Sequence, residues 1–122
     1  MGPLLTKRLQ EVFGNIHEIS LEQLISKMDN QEAFYLIDVR EDNEWREGSL
    51  PLAIHVSRGK LELNIESVTE DPAADIVLYC GGGTRSALAA ESLQTMGYHN
   101  VKSLKGGFRG WKATGLPTEI QF

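Results

Sequence analysis

The chain has 122 residues, enough for one domain with a sizeable core, and its 41% hydrophobic and 24% charged content fits a soluble globular protein and excludes a disordered one. A net charge of −5 argues against general affinity for nucleic acid, and no apolar run approaches the roughly 20 residues that span a bilayer. The charge is uneven: through Gly83 there are 7 basic and 15 acidic residues, and from Thr84 on there are 5 and 2. The second part either favours anions locally or is ordinary solvated surface.

In chain order, Met1 to Phe13 reads as a short helix or a loose arm, ended near Gly14. It carries Lys7 and Arg8 without a following apolar stretch, so it lacks the pattern of a secretory signal. Ile16 to Ile19 alternates as a short strand does, and Ser20-Leu21-Glu22-Gln23 is a capping box opening a helix to about Met28. Phe34 to Val39 is a buried strand ending in Asp38-Val39-Arg40. Asp38 and Arg40 fall at the carboxyl end of that strand, the edge where open parallel sheets gather chemistry. Asp38 either serves such a site or pairs with Arg40 and orders the loop. Glu41 to Gly48 predicts a short acidic helix with Trp45 turned to the core, and His55 sits in a short strand, 53–56, as a structural histidine. Arg58 opens a helical segment to about Val68 with Leu61 and Ile65 inward; it would hold an anionic substrate or lie on the surface.

Ile76 to Tyr79 is a second apolar run of β-formers, followed by Cys80-Gly81-Gly82-Gly83-Thr84-Arg85-Ser86 and a helix from Ser86 to Met96 that Gly97 ends. The glycines allow backbone conformations barred to other residues and can turn their N–H groups inward. Cys80 at a strand end, below such a loop and at a helix N-terminus, is either a small buried residue closing the strand or a thiolate nucleophile favoured by amide dipoles. Arg85 adds a permanent charge nearby. Ser86 is either a hydroxyl donor to the site or the N-cap of the helix. A last strand, 101–104, leads to Gly106-Gly107 and a short helix anchored by Phe108 and Trp111. Five strands alternating with helical pieces predict an α/β fold with a mostly parallel sheet covered on both faces. As the only cysteine, Cys80 excludes an intrachain disulfide and fits a reducing compartment, so the cytoplasm is the expected location.

Three motifs, Leu36-Ile37-Asp38-Val39-Arg40-Glu41, the Cys80–Ser86 loop, and Gly106-Gly107-Phe108-Arg109-Gly110-Trp111, stand in the order of the rhodanese-like (sulfurtransferase) family. The resemblance runs from about Ile16 to Pro117. It implies a three-layer α/β/α domain over 16–122, preceded by the arm or helix of 1–15. It further implies that Cys80 accepts a sulfane sulfur from a small anionic donor such as thiosulfate, then yields it to cyanide, a thiol or a partner protein. The loop Gly81, Gly82, Gly83, Thr84, Arg85 and Ser86 would stabilise the persulfide, with Asp38, Arg40 and Arg58 in support, and no cofactor, metal, membrane or nucleic acid is implied. Members that act as interaction or sensing modules usually lack the cysteine, which this chain has; a carrier that receives a persulfide from one protein and gives it to another is a related possibility. In the family the residue after the cysteine is often basic in thiosulfate users and glycine in some mercaptopyruvate users; Gly81 follows the second habit, and Arg85 restores a positive charge. Ser49 and Leu52 depart from the histidine and glycine of the family's His-apolar-Pro-Gly-Ala turn.

Other loop chemistries fit less well. A Walker loop needs Lys-Ser/Thr after its last glycine, and a dinucleotide loop needs G-x-G-x-x-G spacing. A cysteine phosphatase needs five residues between Cys and Arg, and here only Gly81, Gly82, Gly83 and Thr84 intervene.

Overall fold

β-Branched and aromatic runs build the sheet, and their alternation decides which face each functional side chain meets. In the computed structural model, which describes residues 2–120, five strands run β1 (His17–Ile19), β2 (Tyr35–Asp38), β3 (Ile54–His55), β4 (Ile76–Tyr79) and β5 (Val101–Leu104). Their spatial order is β1-β5-β4-β2-β3, and every pairing is parallel rather than mostly so.

Six helices cover the two faces: α1 (Pro3–Asn15), α2 (Leu21–Asp29), α3 (Asp42–Glu47), α4 (Leu61–Val68), α5 (Thr84–Met96) and α6 (Gly107–Ala113), with a 3-10 turn at Arg58–Lys60. One core collects Val12, Ile37, Val39, Leu61, Ile65, Ile76, Leu78, Cys80, Ala87, Ala90 and Leu93, so α1, α4 and α5 share a face. The other collects Leu24, Leu36, Leu50, Val77, Tyr79, Leu104 and Trp111, with α2 and α6. Along β4, Ile76 and Leu78 therefore point to the α5 side while Val77 and Tyr79 point to the α6 side, and Cys80 continues the first set.

Local signals hold where they were strongest. Ser20 Oγ accepts from Gln23 N–H at 3.1 Å, and Gln23 Oε1 accepts from Ser20 N–H at 2.9 Å, closing the capping box. Gly97, at φ +120°, ends α5. The N-terminal segment is helical from Pro3 to Asn15 and buries Leu9 and Val12. Two expectations need correction. The α5 helix begins at Thr84, because Gly83 takes φ +109° and serves as its N-terminal cap, so Ser86 lies inside the first turn and is not the N-cap. Trp45 is only half-buried: α3 is too short to bury a face, and the indole stacks on His55 with ring centroids 4.9 Å apart. Among the described residues no helix is long and apolar enough to cross a membrane.

Candidate active site

The Cys80 side chain, 1% exposed, sits at the end of β4 under the glycine loop. Three groups from the first turn of α5 and the loop surround its sulfur. Gly83 N–H donates to Sγ at 3.1 Å, Ser86 N–H donates at 3.4 Å, and Ser86 Oγ lies 3.4 Å away. Ser86 Oγ is in turn 2.7 Å from Ser103 Oγ on β5, and both serines are fully buried. Ser103 can therefore donate to Ser86 while Ser86 donates to a thiolate, so the hydroxyl chain stabilises negative charge without another acceptor. Burial pushes the Cys80 thiol up, but the hydrogen bonds from the Ser86 hydroxyl and from the Ser86, Gly83 and Gly82 N–H groups together outweigh it, and its pKa is lowered.

The loop is held from behind by α6. Phe108 N–H donates to the Cys80 carbonyl at 2.8 Å and Arg109 N–H to the Gly81 carbonyl at 3.0 Å. That approach requires Gly107, whose φ is +54°; a Cβ there would overlap the Cys80 carbonyl oxygen and lie 2.9 Å from the Gly81 carbonyl. The Arg109 side chain also reaches the loop, its Nε donating to the Gly81 oxygen at 3.2 Å.

Arg85 lies half-buried on the rim. Its Nη1 and Nη2 donate to the two Glu44 oxygens at 2.7 and 3.1 Å, and Glu44 Oε1 also accepts from Glu41 N–H at 3.0 Å. Arg85's pKa is raised, first by those bonds to Glu44 and, against partial burial, by the nearby Cys80 sulfur. Thr84 is exposed beside it.

Asp38 and Arg40 do not join the sulfur. Asp38 stands opposite Tyr79 in register, on the sheet face away from Cys80. Its carboxylate accepts from Arg40 Nη2 at 2.7 Å, from Nε at 3.1 Å and from Arg40 N–H at 2.9 Å. Arg40 Nη2 further donates to the Gly48 carbonyl at 2.6 Å, and the guanidinium lies 4.1 Å from the Phe108 ring centroid. His55 Nε2–H donates to the Arg40 carbonyl at 2.8 Å. This assembly braces α6, and through it the loop. Arg58 donates twice to Glu62, at 3.0 and 2.9 Å, and Glu62 also accepts from Ser92 Oγ at 2.6 Å.

Sequence reasoning thus found the loop and missed Ser103, Glu44, Gly107 and Arg109 as participants. Gly107 and Arg109 carried a signal, the Gly-Gly before a helix anchored by aromatics. Ser103 and Glu44 carried none.

The rhodanese-like domain model matches residues 20–114, and the chain belongs to that family. It is 35% identical over 102 residues to the putative sulfurtransferase YtwF of Bacillus subtilis, covering 84% of this chain and 96% of that one. It is 32% identical over 98 residues to the putative sulfur carrier protein YrkF of the same organism, covering 80% of this chain and 52% of that one. Among solved structures it resembles RPA3614 of Rhodopseudomonas palustris, a protein of unknown function described as a possible tyrosine phosphatase. The TM-score is 0.85 at 31% identity, over 94% of this chain and 93% of that one. Family and relatives together support sulfur transfer as the general function.

Proposed function

We propose that this protein is a sulfurtransferase of the thiosulfate type, carrying a sulfane sulfur as a persulfide on Cys80. The observation that carries the reading is the sulfur's own surroundings: N–H groups of Gly83 and Ser86 and the Ser86 hydroxyl converge on Sγ and lower its pKa. The thiolate attacks the outer sulfur of thiosulfate; the Cys80 S–S bond forms, the S–S bond of the donor breaks, and sulfite leaves with the electron pair. Cyanide or a thiolate then attacks the outer sulfur of the Cys80 persulfide, and the electron pair of the breaking S–S bond returns to Sγ. Charge and sulfur balance in both steps with no outside oxidant or reductant. The loop amides that hold the thiolate stabilise the persulfide anion in the same way. Asp38 and Arg40 support the site by bracing α6. Arg58, already matched by Glu62, is kept as a supporting cation.

A phosphatase reading fits the loop less well. Only four residues separate Cys80 from Arg85, one fewer than the five of a cysteine phosphatase loop. A sulfur-carrier role, loaded by another protein, is the second reading; the match to the putative carrier YrkF favours it.

The test is thiosulfate:cyanide sulfurtransferase activity of the wild type and Cys80→Ser, with intact mass after thiosulfate treatment. Wild type should turn over and gain one cyanide-removable sulfur, and Cys80→Ser should do neither. If the wild type gains no sulfur from thiosulfate or mercaptopyruvate, the enzymatic reading falls and the carrier role takes its place.

A further inference from the structure

Two guanidinium groups converge on the rim of the Cys80 loop. A Cβ built on Gly81 would lie 3.1 Å from Arg85 Nη2 and 3.6 Å from Arg109 Nη2, so both forks border the space that the missing side chain leaves open. They differ in what already holds them. Arg85 donates through both Nη groups to Glu44, which leaves that pair close to neutral. Arg109 is exposed and has no acidic partner among the described residues; its side chain donates only to the Gly81 carbonyl. Its Nη2 lies over Gly82, where a Cβ would overlap it and stand 3.2 Å from Cζ. Glycine at 81 and 82 is what lets these cations approach the loop.

We propose that Arg109 binds the oxygen-bearing head of the sulfur donor, with Arg85 as a neighbour tempered by Glu44. This rests on sulfur transfer through Cys80 as read above. A guanidinium fork matches two oxygens of such a head at once, which an ammonium cannot do. With Sγ buried below the loop and the fork on its rim, the outer sulfur can enter while the oxygens stay outside. The same fork then meets the charge that accumulates on departing sulfite.

The decisive measurement is titration of thiosulfate into Cys80→Ser, which lacks the sulfur nucleophile, followed by the amide resonances of Gly81, Gly82 and Gly83; Cys80→Ala serves if that variant folds poorly. Saturable shifts are expected. Arg109→Gln in the same background should weaken binding about tenfold, the scale of a lost hydrogen bond to a charged group, and Arg109→Lys by less. Alkylation of Cys80 by uncharged iodoacetamide reads the loop separately, because Arg109→Gln also loses the Nε bond to the Gly81 carbonyl; thiosulfate affinity should fall by much more than the alkylation rate does. Equal thiosulfate affinity without Arg109, or no saturable binding to Cys80→Ser, overturns the proposal. A parallel loss of iodoacetamide alkylation also overturns it, because Arg109 would then merely hold the loop. Arg109-dependent binding in a protein whose wild type transfers no sulfur would sustain the anion site and remove the transferase reading, so the two fail separately.

Discussion

Two arginine–carboxylate pairs stand near the carboxyl ends of the strands, and they are built for different ends. In Arg40–Asp38 the side chains are 5% and 0% exposed, and the arginine is also tied to the Gly48 carbonyl and stacked on Phe108. In Arg85–Glu44 they are 37% and 31% exposed, and the pair lies on the rim above the thiolate. A buried pair cannot trade partners, because any move leaves a charge without solvent or counter-ion. A rim pair is screened by water and can exchange Glu44 for an incoming anion at small cost. The first therefore fixes the position of α6 and the loop, while the second sets how much positive charge the loop presents at its rim.

The largest effect should come from Asp38→Asn, which leaves Arg40 buried without its counter-charge. Urea unfolding should show a loss of roughly 3–5 kcal/mol, the usual result of removing one partner of a buried pair. A loss under about 1 kcal/mol would mean that water reaches Arg40, and the distinction between the two pairs would collapse.

Glu44→Gln tests the other side. The Glu44 pKa is held down to about 2, first by the hydrogen bonds from Arg85, which outweigh its partial burial. Because the folded value lies below the unfolded value, near 4.5, the contribution to stability is present above pH 4.5 and is lost as pH falls toward 2. With both side chains about one-third exposed, that contribution is at most ~1 kcal/mol. Glu44→Gln should therefore cost little at pH 7 and flatten the stability–pH curve between pH 4.5 and 2. It should also lower KM for thiosulfate, by about threefold, since the Arg85 fork no longer has a competing carboxylate. An unchanged KM would show that Arg85 does not meet the donor even when free.

Legibility in the sequence followed the range of the interactions. The β4–loop–α5 unit, the Ser20 capping box and the Gly97 stop were readable because each is decided within a few residues. Glu44 reaches Arg85 across 41 positions, Arg109 reaches Gly81 across 28, and Ser103 reaches Ser86 across 17, so their roles appear only when the sheet sets its register. Ser86 was ambiguous for a local reason: whether it caps the helix or faces the sulfur depends on Gly83, three residues earlier, turning to positive φ, which moves the helix start to Thr84. Asp38 was readable as a loop-ordering residue from spacing, but its face was fixed by pairing with Tyr79.

The turn after Gly48 belongs to the structural side of the comparison, because the Gly48 carbonyl accepts from Arg40 just before it. Here the resemblance sets Leu52 against the glycine of the family's turn, and the backbone at Leu52 is one that favours glycine. Leu52 adopts φ +70° with its side chain 73% exposed, so a leucine pays left-handed strain and recovers almost no burial. Leu52→Gly should relieve that strain, partly offset by the greater freedom of glycine in the unfolded chain, for a net gain of up to ~1 kcal/mol. A rise in Tm of about 3 °C with unchanged KM for thiosulfate is the expected result. If the variant is instead less stable, the leucine side chain stabilises the turn despite its exposure, and strain at this position is not what the family's glycine avoids. A change in KM would be the more consequential outcome, since it would mean that the scaffold around Arg40 moves the loop as well as holding it.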